Sequence, residues 1–187
     1  MKKNTIKTPI GIQKQHETEI TLRGTVLTVS VNIEVVLMRI IYFSNGEHYE
    51  NPKSPSLKIK NLTFSSKINR VKEVLKLHHS DLLAEYQNLF TTLEGFLVIR
   101  NQIAHCAIYW IDEKLNDFEI WDVVEGDIVQ YYSPIKYTRV EIATAIIEYF
   151  NKITPPLLSL ENEVSLRLKL SHPQIYSQLS SATQHGG

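Results

Sequence analysis

From residue 82 onward, apolar side chains recur at the spacing of one helix face: Leu82/Leu83, Tyr86, Leu89/Phe90, Leu93, Phe96/Leu97, then Ile103/Ala104. The beat due near position 100 falls instead on Arg100 and Asn101. A guanidinium is costly to bury alone, so an arginine in such a stripe is paired, or faces a cleft or a second subunit.

The same period places a helix from Ile33 through Val36/Leu37 and Ile40/Ile41 to a stop at Ser44-Asn45-Gly46, inside an apolar-rich segment from about 16 to 43. The alternation over 25–31 suits a strand as well as a helix. Pro52 and Pro55 mark an exposed connection. A second helix is expected over about 64–79, burying Phe64, Ile68, Val71 and Val74/Leu75, and Ser80-Asp81 offers an N-cap for the third, which runs to about 105. Three short aromatic and β-branched runs follow, at 107–111, 118–124 and 128–132, and read as an antiparallel meander. Thr138 to Glu141 has capping-box form and opens a fourth helix, which Pro155-Pro156 is expected to break before a last helical stretch over 157–170. The expectation is a mainly α fold with a small antiparallel β-meander inserted at about 107–133. It forms a single domain over 15–170, with flexible tails at 1–14 and 171–187.

Composition fits an ordinary globular domain: 43% apolar and 21% charged residues exclude a disordered chain. Arg23, Asn32, Glu34 and Arg39 interrupt the apolar segment, so a membrane span is not expected. One cysteine, Cys106, rules out an intramolecular disulfide and suits a reducing, cytoplasmic setting. No apolar leader follows Met1-Lys2-Lys3. Formal net charge is zero, which argues against indiscriminate binding to a polyanion. Residues 52–80 nevertheless carry seven basic side chains against Glu73, and residues 112–127 seven acidic ones against Lys114. These runs read either as a basic approach surface with an acidic flank, or as solvated faces or matched subunit surfaces.

The candidate chemistry lies in Arg-Asn-Gln-Ile-Ala-His at 100–105. Asn101 and His105 are four apart and share a helix face. Arg100 and His105 are five apart, about 140° around an ideal helix, so bringing all three together needs a distorted helix end, the reach of arginine, or a facing subunit. Histidine exchanges protons near neutrality and arginine offers a fixed cationic fork to phosphate oxygens, while Asn101 can hold the imidazole or the phosphate. A second Arg-x4-His, Arg167 to His172, lacks the asparagine and precedes Pro173; it is read as coincidence.

Long helices, an Arg-Asn-x-x-Ala-His run and a further helix after a small β insertion together resemble the HEPN superfamily (higher eukaryotes and prokaryotes nucleotide-binding). The resemblance covers roughly 16–155, and the β insertion departs from a plain helical member. It implies an up-and-down helical bundle, a homodimer that brings two motifs into one cleft, and metal-independent cleavage of RNA. Arg100, Asn101 and His105 would be the catalytic residues, leaving 2′,3′-cyclic phosphate and 5′-hydroxyl ends, with no cofactor or metal. It also implies a toxin or antiphage-defence setting with a restraining antitoxin protein. The alternative is a non-catalytic HEPN dimer that binds nucleotide or a partner protein; a third reading takes Arg100 and His105 as cations favoured at a helix C-terminus.

Other candidates are weaker. Cys106 points about 100° away from His105 on a helix, a poor dyad. His78-His79 lack further ligands at metal-binding spacing. Trp110, Trp121, Tyr109, Tyr131 and Tyr132 suit either base stacking or a sheet core. Glu94 reads as solvent-facing, with Arg100 as an alternative partner. Gly46, Gly95 and Gly126 stand apart and form no phosphate loop.

Overall fold

The computed structural model describes residues 9–44, 61–112, 114–121 and 135–184. Among the described residues the chain is mainly helical, with one three-stranded antiparallel sheet. In chain order the elements are α1 (Pro9–Ser44), α2 (Phe64–His78), α3 (Ser80–Glu85), α4 (Gln87–His105), β1 (Ala107–Trp110), β2 (Asp117–Trp121), β3 (Ile135–Thr138), α5 (Arg139–Ser171) and α6 (Pro173–Gln184).

Helix α1 starts earlier than the sequence suggests and absorbs the stretch that alternates like a strand. Its buried positions, Val26, Ser30, Ile33, Leu37 and Ile40, step by four and three, which is a helix face. Its threonines bond back into the helix: Thr18, Thr21, Thr25 and Thr28 each donate to the carbonyl four residues earlier. By length and composition α1 would also pass for a membrane span. Within it Arg23 pairs with Glu19, Glu34 with Lys67 and Arg39 with Glu161.

The chain divides into two compact units, one of residues 1–29 and 98–148, the other of 30–97 and 149–187. In the second unit, Thr63 caps α2 by accepting from the Ser66 amide at 3.2 Å. The α2 stripe then buries Phe64, Ile68, Val71, Val74 and Leu75. Phe64 meets Phe96 of α4 edge-on at 6.0 Å, and Phe96 meets Tyr149 of α5 at 5.9 Å. The expected N-cap at Ser80-Asp81 is displaced: both lie inside the first turn of α3, and Tyr86 separates that short helix from α4. Asp81 is held by Arg167 through both guanidinium nitrogens.

Helix α5 runs through Pro155 and Pro156, where the sequence predicts a break. Two amide donors are lost there. Buried Ile153, Leu157 and Leu160 on either side tie both halves of α5 into the core, so tertiary packing outweighs the missing bonds. Residues 173–184, expected in a flexible tail, form α6, whose Tyr176 stacks near Phe43 at 6.2 Å.

The first unit is built around the sheet. Strand β1 pairs with β2 so that Ile108 lies opposite Ile120 and Trp110 opposite Phe118; β2 pairs with β3, Phe118 opposite Tyr137. The third strand is therefore at 135–138, and the run expected at 128–132 lies outside the described residues. Between β1 and β2 the Asp112 carboxylate accepts from the amides of Asn116 and Asp117, at 2.8 and 3.0 Å. Those bonds hold its pKa below the usual carboxylate range. They also brace Leu115, which takes a left-handed φ of 57° while its side chain is buried. The capping box forms as its residues predict: the Thr138 amide donates to Glu141 at 2.7 Å, and the Glu141 amide donates to Thr138 Oγ1 at 3.0 Å. The core of this unit joins Val26 of α1, Ile103 and Cys106 from the end of α4, Phe118 and Ile120 of β2, and Ile142 and Ile146 of α5.

Candidate functional site

Position 100 has a structural answer. Ile103 is fully buried and faces the sheet core, while Asn101 and His105 lie on the exposed side of α4 and Arg100 is half-buried between them. The helix continues to His105, and the Cys106 amide still donates to the Gln102 carbonyl at 3.0 Å. No helix distortion is needed to bring the triad together. Arginine's reach does it: Arg100 Nη1 lies 2.9 Å from Asn101 Oδ1 and 3.2 Å from His105 Nε2.

Because guanidinium only donates, Nε2 of His105 is the acceptor in this contact. The ring is then neutral with its proton on Nδ1, the tautomer assigned by the hydrogen-bond network. Asn101 contacts the arginine rather than the imidazole. The Nε of Arg100 is buried without a hydrogen-bond partner, and among the described residues no carboxylate lies within ion-pair distance of this guanidinium. The site thus presents a partly desolvated cation, uncompensated within the described residues, beside a neutral imidazole lone pair. Such a pair can bind an anion and accept a proton next to it.

The sequence reading missed one residue. Arg23 of α1 donates through Nη1 to the Ile103 carbonyl and through Nη2 to the Cys106 carbonyl at 2.8 Å. Glu19, one turn earlier, holds the same side chain through Nε at 2.9 Å and Nη2 at 2.7 Å. The Ile103 carbonyl would otherwise be an orphan of the helix end, since the chain turns into β1 at Ala107. The available signal was a Glu-x3-Arg pair in an apolar segment, read only as an interruption.

Other candidates are occupied elsewhere. Cys106 is buried, at 8% exposure, within the sheet core. Glu94 pairs with Lys72, not with Arg100. Arg167 of the second Arg-x4-His run is forked onto Asp81, and His172 Nδ1 lies 3.0 Å from the Ser171 hydroxyl. His78 is exposed; burial lowers the pKa of half-buried His79, with the Arg167 and His78 charges adding to the effect and Asp81 opposing it. Among the described residues no group of three or more His, Cys, Asp or Glu side chains converges. Trp110 packs on Phe118 at 5.1 Å, whereas Tyr109 is 57% exposed on β1. The side chain of Trp121 and residues 131–132 lie outside the described residues.

The charge runs also change meaning. Lys67 is buried against Glu34, Lys72 pairs with Glu94 and Arg70 with Glu73, so much of the described basic run is internally matched. Lys53, Lys58 and Lys60, and the acidic residues from 122 to 127, lie outside the described residues. Comparison with family models, with curated proteins and with solved structures yields no match for this chain.

Proposed function

We propose that the chain is a HEPN-like, metal-independent endoribonuclease that works as a homodimer in the cytoplasm. One observation carries the reading: an Arg100 guanidinium with no carboxylate partner among the described residues, 3.2 Å from His105 Nε2 at the exposed end of α4. In the proposed reaction, His105 Nε2 takes the proton of a ribose 2′-hydroxyl. The 2′-oxygen forms a bond to phosphorus and the bond from phosphorus to the 5′-oxygen breaks. Arg100 leaves His105 to bind the phosphate oxygens, where its charge counts most as negative charge grows at phosphorus. Asn101 keeps the guanidinium aimed. The leaving 5′-oxygen takes a proton from an imidazolium, supplied by the second copy of the motif across an HEPN-type cleft. The products are a 2′,3′-cyclic phosphate and a 5′-hydroxyl. By resemblance the setting is toxin–antitoxin or antiphage defence, with an up-and-down bundle paired to a restraining antitoxin.

A second reading has its own support. In the contact described, Arg100 already occupies the lone pair that a base would use. A non-catalytic HEPN dimer would use the same guanidinium only to hold a nucleotide phosphate or an acidic partner.

RNA cleavage in EDTA separates the two. Wild type should cut a mixed RNA set that includes tRNA and leave cyclic-phosphate ends. His105→Ala and Arg100→Ala should each lower the rate by about 10²–10⁴-fold, the usual contribution of a general base or a charge stabiliser. Intact RNA with well-folded wild type would remove the enzyme reading.

A further inference from the structure

The contact between Arg100 and His105 depends on where the backbone of residue 105 sits, and α4 alone does not decide that. A helix C-terminus frays, since its last carbonyls lack partners. Here the chain changes within two residues from the α4 helix to β1, with His105 as the last helical residue. On either side of it, the Ile103 and Cys106 carbonyls both accept from one guanidinium, that of Arg23, eighty or more residues away in the chain. A cation at this end also complements the helix dipole. The guanidinium is held in turn by Glu19, whose carboxylate meets both Nε and Nη2. One fork therefore spans the two peptide groups that bracket His105, and its other edge is anchored to the preceding turn of α1.

We infer that Arg23, aimed by Glu19, is the positioning residue for His105. It fixes the backbone on both sides of the imidazole and so sets the height of Nε2 against Arg100. This rests on the ribonuclease reading for its kinetic consequence, but the geometric claim stands apart from it. Arg23 touches neither His105's ring nor Arg100, so it does not belong to the chemistry itself. Lysine at this position keeps the charge but offers a point donor, unable to bridge the two carbonyls while gripping Glu19.

The test has two readouts on folded protein, with fold checked by circular dichroism. The first is cleavage kinetics for wild type, Arg23→Ala, Arg23→Lys and Glu19→Gln. A misplaced base lowers kcat about 100-fold for Arg23→Ala while KM stays within about twofold, since no phosphate contact is lost. Arg23→Lys and Glu19→Gln fall between. Free guanidinium at low concentration should restore part of the Arg23→Ala rate, which a general loss of stability would not allow. The second readout is the ¹⁵N spectrum of the His105 ring. Wild type should show the tautomer with the proton on Nδ1, and Arg23→Ala a mixture of tautomers. If wild type cuts no RNA but the ring signals change in this way, the ribonuclease reading fails and the positioning claim survives. If Arg23→Ala keeps both wild-type kcat and wild-type ring signals, the claim is overturned. Should Arg23→Ala not fold, Arg23→Lys and Glu19→Gln decide by the same two readouts.

Discussion

Replacing Arg39 of α1 by alanine asks how a buried carboxylate behaves once its cation is gone. The Glu161 side chain is 5% exposed and that of Arg39 44% exposed, so the pair is unequal. Burial raises the Glu161 pKa above the usual glutamate value, and the Arg39 charge pulls it back down. Without Arg39 the folded protein must hold Glu161 either charged and desolvated or protonated. Protonation sets a ceiling. Keeping a carboxyl of ordinary pKa about 4.3 neutral at pH 7 costs about 3.7 kcal/mol, at about 1.36 kcal/mol per pH unit. Breaking a buried pair from one side typically costs about 3–5 kcal/mol, so the variant should lie near that ceiling, about 3 kcal/mol below wild type. A group with a raised folded pKa contributes its full stability below the unfolded value and loses it as pH rises through the folded one. The pH-dependent part of the penalty therefore shrinks on acidification, to about 1 kcal/mol at pH 5. Glu161→Gln behaves differently, because the Arg39 left behind is already half in water; its cost should stay within about 1 kcal/mol. Urea unfolding at pH 5 and pH 7 of wild type, both single variants and the double variant measures all of this. An Arg39→Ala penalty that is the same at both pH values would refute the reasoning. So would a Glu161→Gln variant as damaged as Arg39→Ala.

Two further outcomes follow from local geometry. The Arg167 fork holds the Asp81 carboxyl down to about 2, so its contribution stands above the usual carboxylate range and is lost as pH falls through that value. Thermal melts should show Asp81→Asn below wild type at pH 7 and the gap closing near pH 2; an unchanged gap would mean that the ion pair contributes nothing. A Cβ at Gly24 meets nothing within 4 Å, so Gly24→Ala should raise stability by about 0.5–1 kcal/mol by restoring helix propensity. At Gly95 the added carbon would meet Tyr149 Oη at 2.9 Å, so the same change there should fail to stabilise, and equal urea midpoints for the two variants would contradict the packing described.

Legibility followed the range of the interaction. The α2 stripe, the Thr138–Glu141 capping box and the first two strands are set by neighbours a few residues apart, and the sequence states them directly. The candidate site was legible for the same reason, as a break in a periodic stripe. Misreadings arose where distant packing overrode a local preference. A Pro-Pro step stayed inside α5 and an expected tail became α6, while the alternation over 25–31, which suited either element, went to α1.

What the chain determined by itself is the mainly helical character, the antiparallel sheet after α4, and the placement of Arg100, Asn101 and His105 at a helix end, since these depend on periodicity and short-range bonds. Only the tertiary structure decided which partners the described cations take. Lys67, Lys72 and Arg167 find carboxylates on other helices, while Arg100 finds Asn101 and His105. It alone revealed Arg23 on the carbonyls beside His105. Charge pairing and capping across eighty residues depend on how helices are brought together in space, and no pattern along the chain encodes that distance.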